Sequence, residues 1–178
     1  MRFSVELGDS YALALRTADT VDEMHALILR NVERLRLWEP WAAGEQSVEG
    51  TAAYTRLQLD EFVMGASVPG IITRAGEAIG AVSLQIRAAT RTAELGYWVD
   101  GDEEGRGAVT RACRVLVEHA ATIGMRRLEI RTPVANSRSI ALAERLGCHR
   151  ETVLPEALAI GASRLDVAIY ALVLSPLR

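Results

Sequence analysis

The sequence is short of several things, and each shortage closes off a class of function. Only two cysteines occur in 178 residues. Cys113 and Cys148 sit in apolar surroundings with no metal-ligand spacing, so both read as buried, reduced thiols, which points to a cytoplasmic protein. Three histidines, His25, His119 and His149, are scattered without the intervals of a metal site, and no metal is expected. Nowhere do about 18 uncharged apolar residues run together, and the N-terminal segment lacks the continuous apolar stretch of a signal peptide, so neither a membrane span nor secretion is expected. No surplus of basic charge exists: the formal net charge is −3. Nothing global therefore attracts nucleic acid, and any polyanion must be held locally. Internal repeats, low-complexity tracts and long linkers are likewise missing. With 49% hydrophobic residues, residues 1–178 are expected to form one domain around a single core.

What is present follows a readable order. Alternation around Gly8-Asp9 predicts an opening strand or short hairpin. Thr20 with Glu23 resembles a capping box, and Val21, Met24, Ile28 and Leu35 share one helical face behind it. After "LWEPWAAGEQ", a second helix is predicted over 47–64, with Val48, Ala52, Leu59, Phe62 and Val63 inward. Residues 68–99 alternate as three strands in an antiparallel meander, turning at Ala75-Gly76. A helix carrying Val109, Ala112, Cys113, Leu116, Ala120 and Ile123 on one stripe ends near Gly124. "RRLEIRT" is a further strand, Asn136 an N-cap, Gly147 a helix stop, and two strands joined around Gly161 close the chain. Strand, helix and strand between Glu94 and Thr132 predict a parallel crossover in an otherwise antiparallel sheet, an α/β (α+β) sandwich.

"EEGRGAVTRA", residues 103–112, places two glycines where that crossover helix begins. Helix N-termini carry unpartnered N–H groups and a positive dipole end, so a glycine-rich entry can cradle a phosphate; it can equally be a tight connector. The P-loop requirement for Gly-Lys-Ser/Thr fails here, and so does the three-glycine dinucleotide fingerprint.

The longer stretch "AELGYWVDGDEEGRGAVTRACRVLVEHA", with "RRLEIRTPVANSRSIALAERLGC" after it, resembles the GNAT acyltransferase superfamily, in particular its branch of ribosomal-protein N-terminal acetyltransferases. The likeness extends from "ALALRTADTVDEMHAL" and "LWEPW" to "DVAIYAL". It implies a GNAT fold, a mixed and mostly antiparallel sheet of about seven strands flanked by about four helices. It also implies acetyl-CoA as acyl donor, a primary amine as acceptor (a protein N-terminus or a small molecule), and a monomer or homodimer.

Within that resemblance, the glycine turn that binds the pyrophosphate corresponds to Glu104, Gly105, Arg106, Gly107, Ala108, Val109 and Thr110. The strand that pairs with the pantetheine arm, through backbone groups opened by a bulge, corresponds to Tyr97, Trp98 and Val99. The family turn usually reads Gln/Arg-x-x-Gly-x-Gly/Ala. Gly107 fits, Val109 matches a variant of the N-terminal acetyltransferase branch, and Glu104 departs. An acid near a diphosphate must point to solvent or pair with an arginine.

Transfer from a thioester to an amine needs the amine deprotonated, the oxyanion stabilised and the thiolate protonated, and no covalent nucleophile. Glu94 matches the base of the histone-acetyltransferase-like members, and Glu129 is the runner-up. The position of the ribosomal-protein branch's glutamate holds Leu158, and the position of the thiolate-protonating tyrosine holds Ala143. Ser139 is then the candidate acid and Asn136 a cofactor ligand. Trp38 and Trp41 resemble the tryptophan segment bordering the acceptor site. Plainer readings stand beside these: ion pairs for the two glutamates, an ordinary cap for Asn136, loop packing for the tryptophans. The departures also leave open an acyl-CoA-binding sensor without catalysis, or transfer of a larger acyl group such as succinyl.

Overall fold

The computed structural model describes residues 4–175. The first three residues of the segment read as lacking a leader, and the last three of the span read as one domain, lie outside them. Eight strands and four helices follow in the order β1 (Ser4–Gly8), β2 (Tyr11–Leu15), α1 (Val21–Leu35), α2 (Val48–Val63), β3 (Ser67–Arg74), β4 (Glu77–Arg87), β5 (Thr92–Val99), α3 (Ala108–Thr122), β6 (Arg127–Pro133), α4 (Ser137–Arg145), β7 (His149–Ile160) and β8 (Ser163–Val173). The sheet order is β1-β2-β3-β4-β5-β6-β8-β7. Every pairing is antiparallel except β5 with β6, which the crossover helix α3 makes parallel. One strand more than the expected seven is present because the opening segment is a full hairpin, β1 with β2.

Period-two alternation gives each strand two faces, and in the central strands both are covered, while β1 and β7 at the two edges stay largely exposed. On one side α3 and α4 bury Ala112, Cys113, Leu116 and Leu142 against Val82, Leu84, Leu95, Leu128 and Ile130. On the other, Met24 and Leu27 of α1 pack with Ala14, Ile71 and Ala78, and Trp98 leans on this cluster. The stripe predicted for α3 is observed except at Ile123, which caps the helix end and is exposed.

Two local expectations are corrected. The capping box lies one turn earlier, between Thr17 and Thr20. The Glu23 side chain is instead engaged by the amide of Ala78, which donates to its Oε1. The second correction concerns α2. Its inward residues are Thr51, Thr55 and Gln58, whereas Val48, Phe62 and Val63 are exposed and Ala52 and Leu59 half-buried. Apolar residues lie all round this helix, so its sequence does not single out a face. The choice falls to the buried Arg16 at the end of β2, whose guanidinium needs acceptors. Arg16 Nε donates to Thr55 Oγ1 at 2.8 Å, and Thr55 Oγ1 donates in turn to the Thr51 carbonyl at 2.8 Å. Arg16 also lies over the Tyr54 ring, 5.0 Å from its centroid.

This polar docking makes a checkable statement about α2. Thr55→Val strands a buried guanidinium and is expected to cost about 1–3 kcal/mol. Val63→Gln changes a side chain that is 84% exposed and is expected to stay within about 0.5 kcal/mol. Urea titration of both variants decides the matter, and the reverse ranking would mean that the apolar side of α2 is the packed one.

Candidate active site

β5 and β6 are neighbours only from Thr92–Arg127 to Glu94–Glu129. Beyond that point β6 continues against β8 as far as Pro133–Val167, while β5 stays with β4 up to Gly80–Val99. The strands part, and the β6-facing edge of β5 from Leu95 to Val99 is left without a strand partner. The expected bulge in β5 is absent, since its register with β4 runs without a shift. Divergence of β6, not an extra residue, opens the edge. Gly80 lets β4 lie tight behind it: a Cβ there would come within 2.5 Å of the Trp98 carbonyl oxygen.

A cavity of about 370 Å³ occupies the opening. Glu94, Gly96 and Tyr97 line it from β5, Arg131 and Thr132 from β6, Asn136 and Ser139 from the start of α4, Trp38 and Glu39 from the turn after α1, and Leu154 and Leu158 from β7. A second, shallower surface hollow lined by Glu144, Cys148 and Arg150 gathers none of the sequence-predicted site residues. The convergence of side chains locates the site.

At the far end of β5 the chain enters the glycine turn. Gly105 and Gly107 have φ of +75° and +81°, a left-handed conformation that glycine adopts without penalty, and Gly107 is the N-cap of α3. Among the described residues, no backbone carbonyl takes the amides of Gly105 through Thr110. The arrangement is a row of free N–H groups at a positive helix end, with nothing within 4 Å of where a Cβ would stand on either glycine. This suits a diphosphate.

The acids beside the turn are each restrained. Glu104 pairs with Arg34 of α1 and Arg138 of α4. Glu103 accepts from Arg74 at 2.8 Å and from the Tyr11 hydroxyl at 3.1 Å. Asp100 accepts from Arg30 at 3.2 Å, and the Gly101 amide donates to the buried Asn31 Oδ1 at 3.1 Å. The turn is thus fastened to α1 and β3, and its negative charge is met by arginines.

In the cavity, Glu94 accepts from Arg87 at 2.7 Å and lies 3.6 Å from Arg131. Glu129 takes Arg127 at 2.8 Å and Arg131 at 3.3 Å and is outside the lining. Burial opposes the Glu129 charge, but the two arginines outweigh it and hold the carboxyl below its usual range. Ser139 and Asn136 share one corner, the Ser139 amide donating to Asn136 Oδ1 at 3.1 Å. Sequence reasoning used Tyr97 only for its backbone, yet its hydroxyl sits 2.8 Å from Ser139 Oγ. Burial pushes the Tyr97 phenol well up, the Ser139 hydrogen bond pulling back, so it stays protonated.

Trp38 lines the cavity, whereas Trp41 does not; it is 44% exposed and its indole N–H donates to Glu39 Oε2 at 2.9 Å. Glu39 itself was passed over in the sequence. Burial raises its carboxyl above the ordinary value, and the Trp41 hydrogen bond lowers it in part. Its only signal was a charged residue caught between two tryptophans in "LWEPW". Both cysteines are buried, and burial pushes the Cys148 thiol up to about 11. Neither is primed as a nucleophile. Among the described residues no group of acids, histidines and cysteines could hold a metal ion, and no helix is long and apolar enough to cross a membrane.

Residues 12–149 match the Acetyltransferase (GNAT) domain family. The ribosomal-protein-serine acetyltransferase of Escherichia coli (strain K12) is 29% identical over 173 residues, covering 96% of this chain and 97% of that protein. The solved structure of RimL, a ribosomal L7/L12 alpha-N-protein acetyltransferase in complex with coenzyme A, superposes with a TM-score of 0.92 at 25% identity, covering 97% of this chain and 98% of that one. The microcin C7 self-immunity acetyltransferase MccE, solved with acetyl-CoA and AMP, gives 0.90 at 25% identity and covers 96% of both chains. With the parted strands, the open strand edge and the amide-lined turn in place, and the family match spanning most of its length, the chain belongs to the GNAT acetyltransferases.

Proposed function

We propose that this chain transfers an acetyl group from acetyl-CoA to the N-terminal amine of a polypeptide, a ribosomal protein being the first candidate, by direct attack within a ternary complex. The observation that carries this reading is the open edge of β5 leading into the free amides of residues 105–110. The edge can pair with the amide-bearing arm of the cofactor, and the amides and helix dipole can hold its diphosphate. Acetyl-CoA supplies an activated thioester carbonyl; the protein supplies position, charge and proton paths.

At the parting of the strands the cavity carries carboxylates, and a cationic ammonium is drawn to them. Glu94 forms one wall with its charge already met by the guanidinium groups of Arg87 and Arg131. Ser139, at the N-terminus of α4 and beside the Tyr97 hydroxyl, is placed to return a proton to a departing thiolate. The polypeptide acceptor is supported by the named activity of the relative from Escherichia coli and of the RimL structure.

Thiol release with a panel of peptides beginning in serine or alanine, amino sugars and polyamines tests the acceptor. Peptides are expected to lead in kcat/KM by at least about tenfold. Small amines leading instead would overturn the polypeptide assignment, and acetyl-CoA binding without release from any amine would leave a binding module. All twenty of the chain's Lys and Arg residues are arginine, so no lysine of the enzyme competes as acceptor when products are weighed by mass.

A second expectation concerns Glu104. Glu104→Gln removes an acid from the diphosphate cradle and frees Arg34 and Arg138 to face it. Acetyl-CoA affinity by calorimetry at low salt should tighten about threefold to tenfold, a gain that fades as salt screens it. Weaker binding would show that the Glu104 ties are needed to shape the turn.

A further inference from the structure

We infer that Glu39 is the group that takes the proton from the acceptor ammonium, a role that rests on the acetyl-transfer reading above. The ionisable side chains lining the cavity are Glu39, Glu94, Tyr97 and Arg131. Three are already engaged. Glu94 lies between Arg87 and Arg131, and Tyr97 is occupied with Ser139. Arg131 is a cation shared between Glu94 and Glu129. Glu39 alone of these accepts only from a neutral donor, the Trp41 indole, and among the described residues it forms no ion pair. A carboxylate without a cation beside it is the one able to receive a cation from outside.

Its surroundings fix its position and favour proton transfer. The Glu39 amide donates to the Leu35 carbonyl at 2.8 Å, and its carbonyl accepts from the Ala42 amide at 3.0 Å, so the turn holds the residue at the end of α1. The wall from β7, formed by Leu154, Ala157 and Leu158, is apolar and brings no competing charge. From α2 the group that senses Glu39 is the Tyr54 phenol, which burial keeps protonated and over which Arg16 lies. From β5 and β6 come Glu94, Tyr97 and Arg131, and from its own turn Trp41. Partial burial raises the Glu39 carboxyl above its ordinary value, the Trp41 hydrogen bond pulling back, and any rise narrows the gap a proton must cross from an α-ammonium.

The balance is simple. The ammonium gives one proton to the Glu39 carboxylate, leaving a neutral amine and a neutral carboxyl. The nitrogen lone pair forms the C–N bond to the acetyl carbon, and the C–S bond breaks with its electron pair on sulfur. A second proton passes from nitrogen through the Ser139 hydroxyl to sulfur, giving the thiol. Glu39 then releases its proton to water, so that ammonium and thioester become amide, thiol and one proton.

The experiment is the pH dependence of kcat/KM with a peptide acceptor for the wild type, Glu39→Gln, Glu39→Asp and Glu94→Gln. Gln keeps an oxygen for the Trp41 N–H, so the turn is preserved, and calorimetry with acetyl-CoA checks that the cofactor still binds. The wild type should show an acidic limb shifted upward from the ordinary glutamate value. Glu39→Gln should lose about 10²–10³-fold and flatten that limb with acetyl-CoA affinity unchanged, Glu39→Asp should keep the limb, and Glu94→Gln should lose less than about tenfold. An active wild type with Glu39→Gln within about threefold and the limb intact overturns this assignment alone. A wild type that binds acetyl-CoA yet releases no thiol with any amine overturns the transfer reading, and this assignment with it.

Discussion

The parting of β5 from β6 is the constraint on which everything else at this site depends. A strand in a closed sheet has no backbone groups to offer a ligand; here the sheet closes only as far as Glu94 beside Glu129. At that point Arg131 lies between the two carboxylates, Arg87 ties Glu94 from one side, and Arg127 ties Glu129 from the other. Half-exposed pairs such as Glu94 with Arg87 contribute about 0–1 kcal/mol each, so the ladder is a poor account of stability. Its geometric effect is larger. Two like charges side by side on neighbouring strands would spread the sheet where it must stay closed, and the shared arginine holds them at the apex. The opening therefore begins at a defined residue.

The same logic explains an acid-rich approach to a place suited to a diphosphate. Asp100, Glu103 and Glu104 would repel an anion if they pointed inward, yet each is turned to an arginine on another element. These contacts reach α1, β3 and α4, so the turn is positioned from three directions while its amides remain free. Acids in the loop are the handles by which arginines hold it. The dipole and amides at the start of α3 then set the local sign of the field.

Much of this was legible in the sequence, and the failures share one cause. The crossover through α3 was readable because Ala112, Cys113, Leu116 and Ala120 keep a helical period behind two glycines, and α4 because Asn136 and Gly147 mark its ends. The inward face of α2 was not: its apolar residues surround the helix, and the decision came from Arg16, which lies 39 residues from its partner Thr55. Glu23 looked like a cap because its true partner, the Ala78 amide, is 55 residues away. Glu39 left no periodic trace, since it sits on an irregular turn where neither a helical nor a strand period marks an inward face. The opening of β5 was expected from a bulge, a local device, and came instead from the loyalty of β6 to β8. Period and capping are local signals; partner choice across the sheet is not.

That arginine fills every one of these roles has a chemical consequence. A guanidinium can bridge two carboxylates with fixed geometry, as Arg127 does between Glu129 and Glu151 and Arg131 between Glu94 and Glu129. An ammonium is a flexible point charge and would fix neither angle. It would also be a primary amine, the very nucleophile an acetyl-transferring cavity is shaped to receive. Arg131 and Arg138 stand at the cavity wall and the mouth of the turn, where a lysine could lose its proton and compete with the acceptor. Holding the acids with guanidinium groups, which stay charged and poorly nucleophilic, separates the residues that build the site from the amine that is meant to react in it.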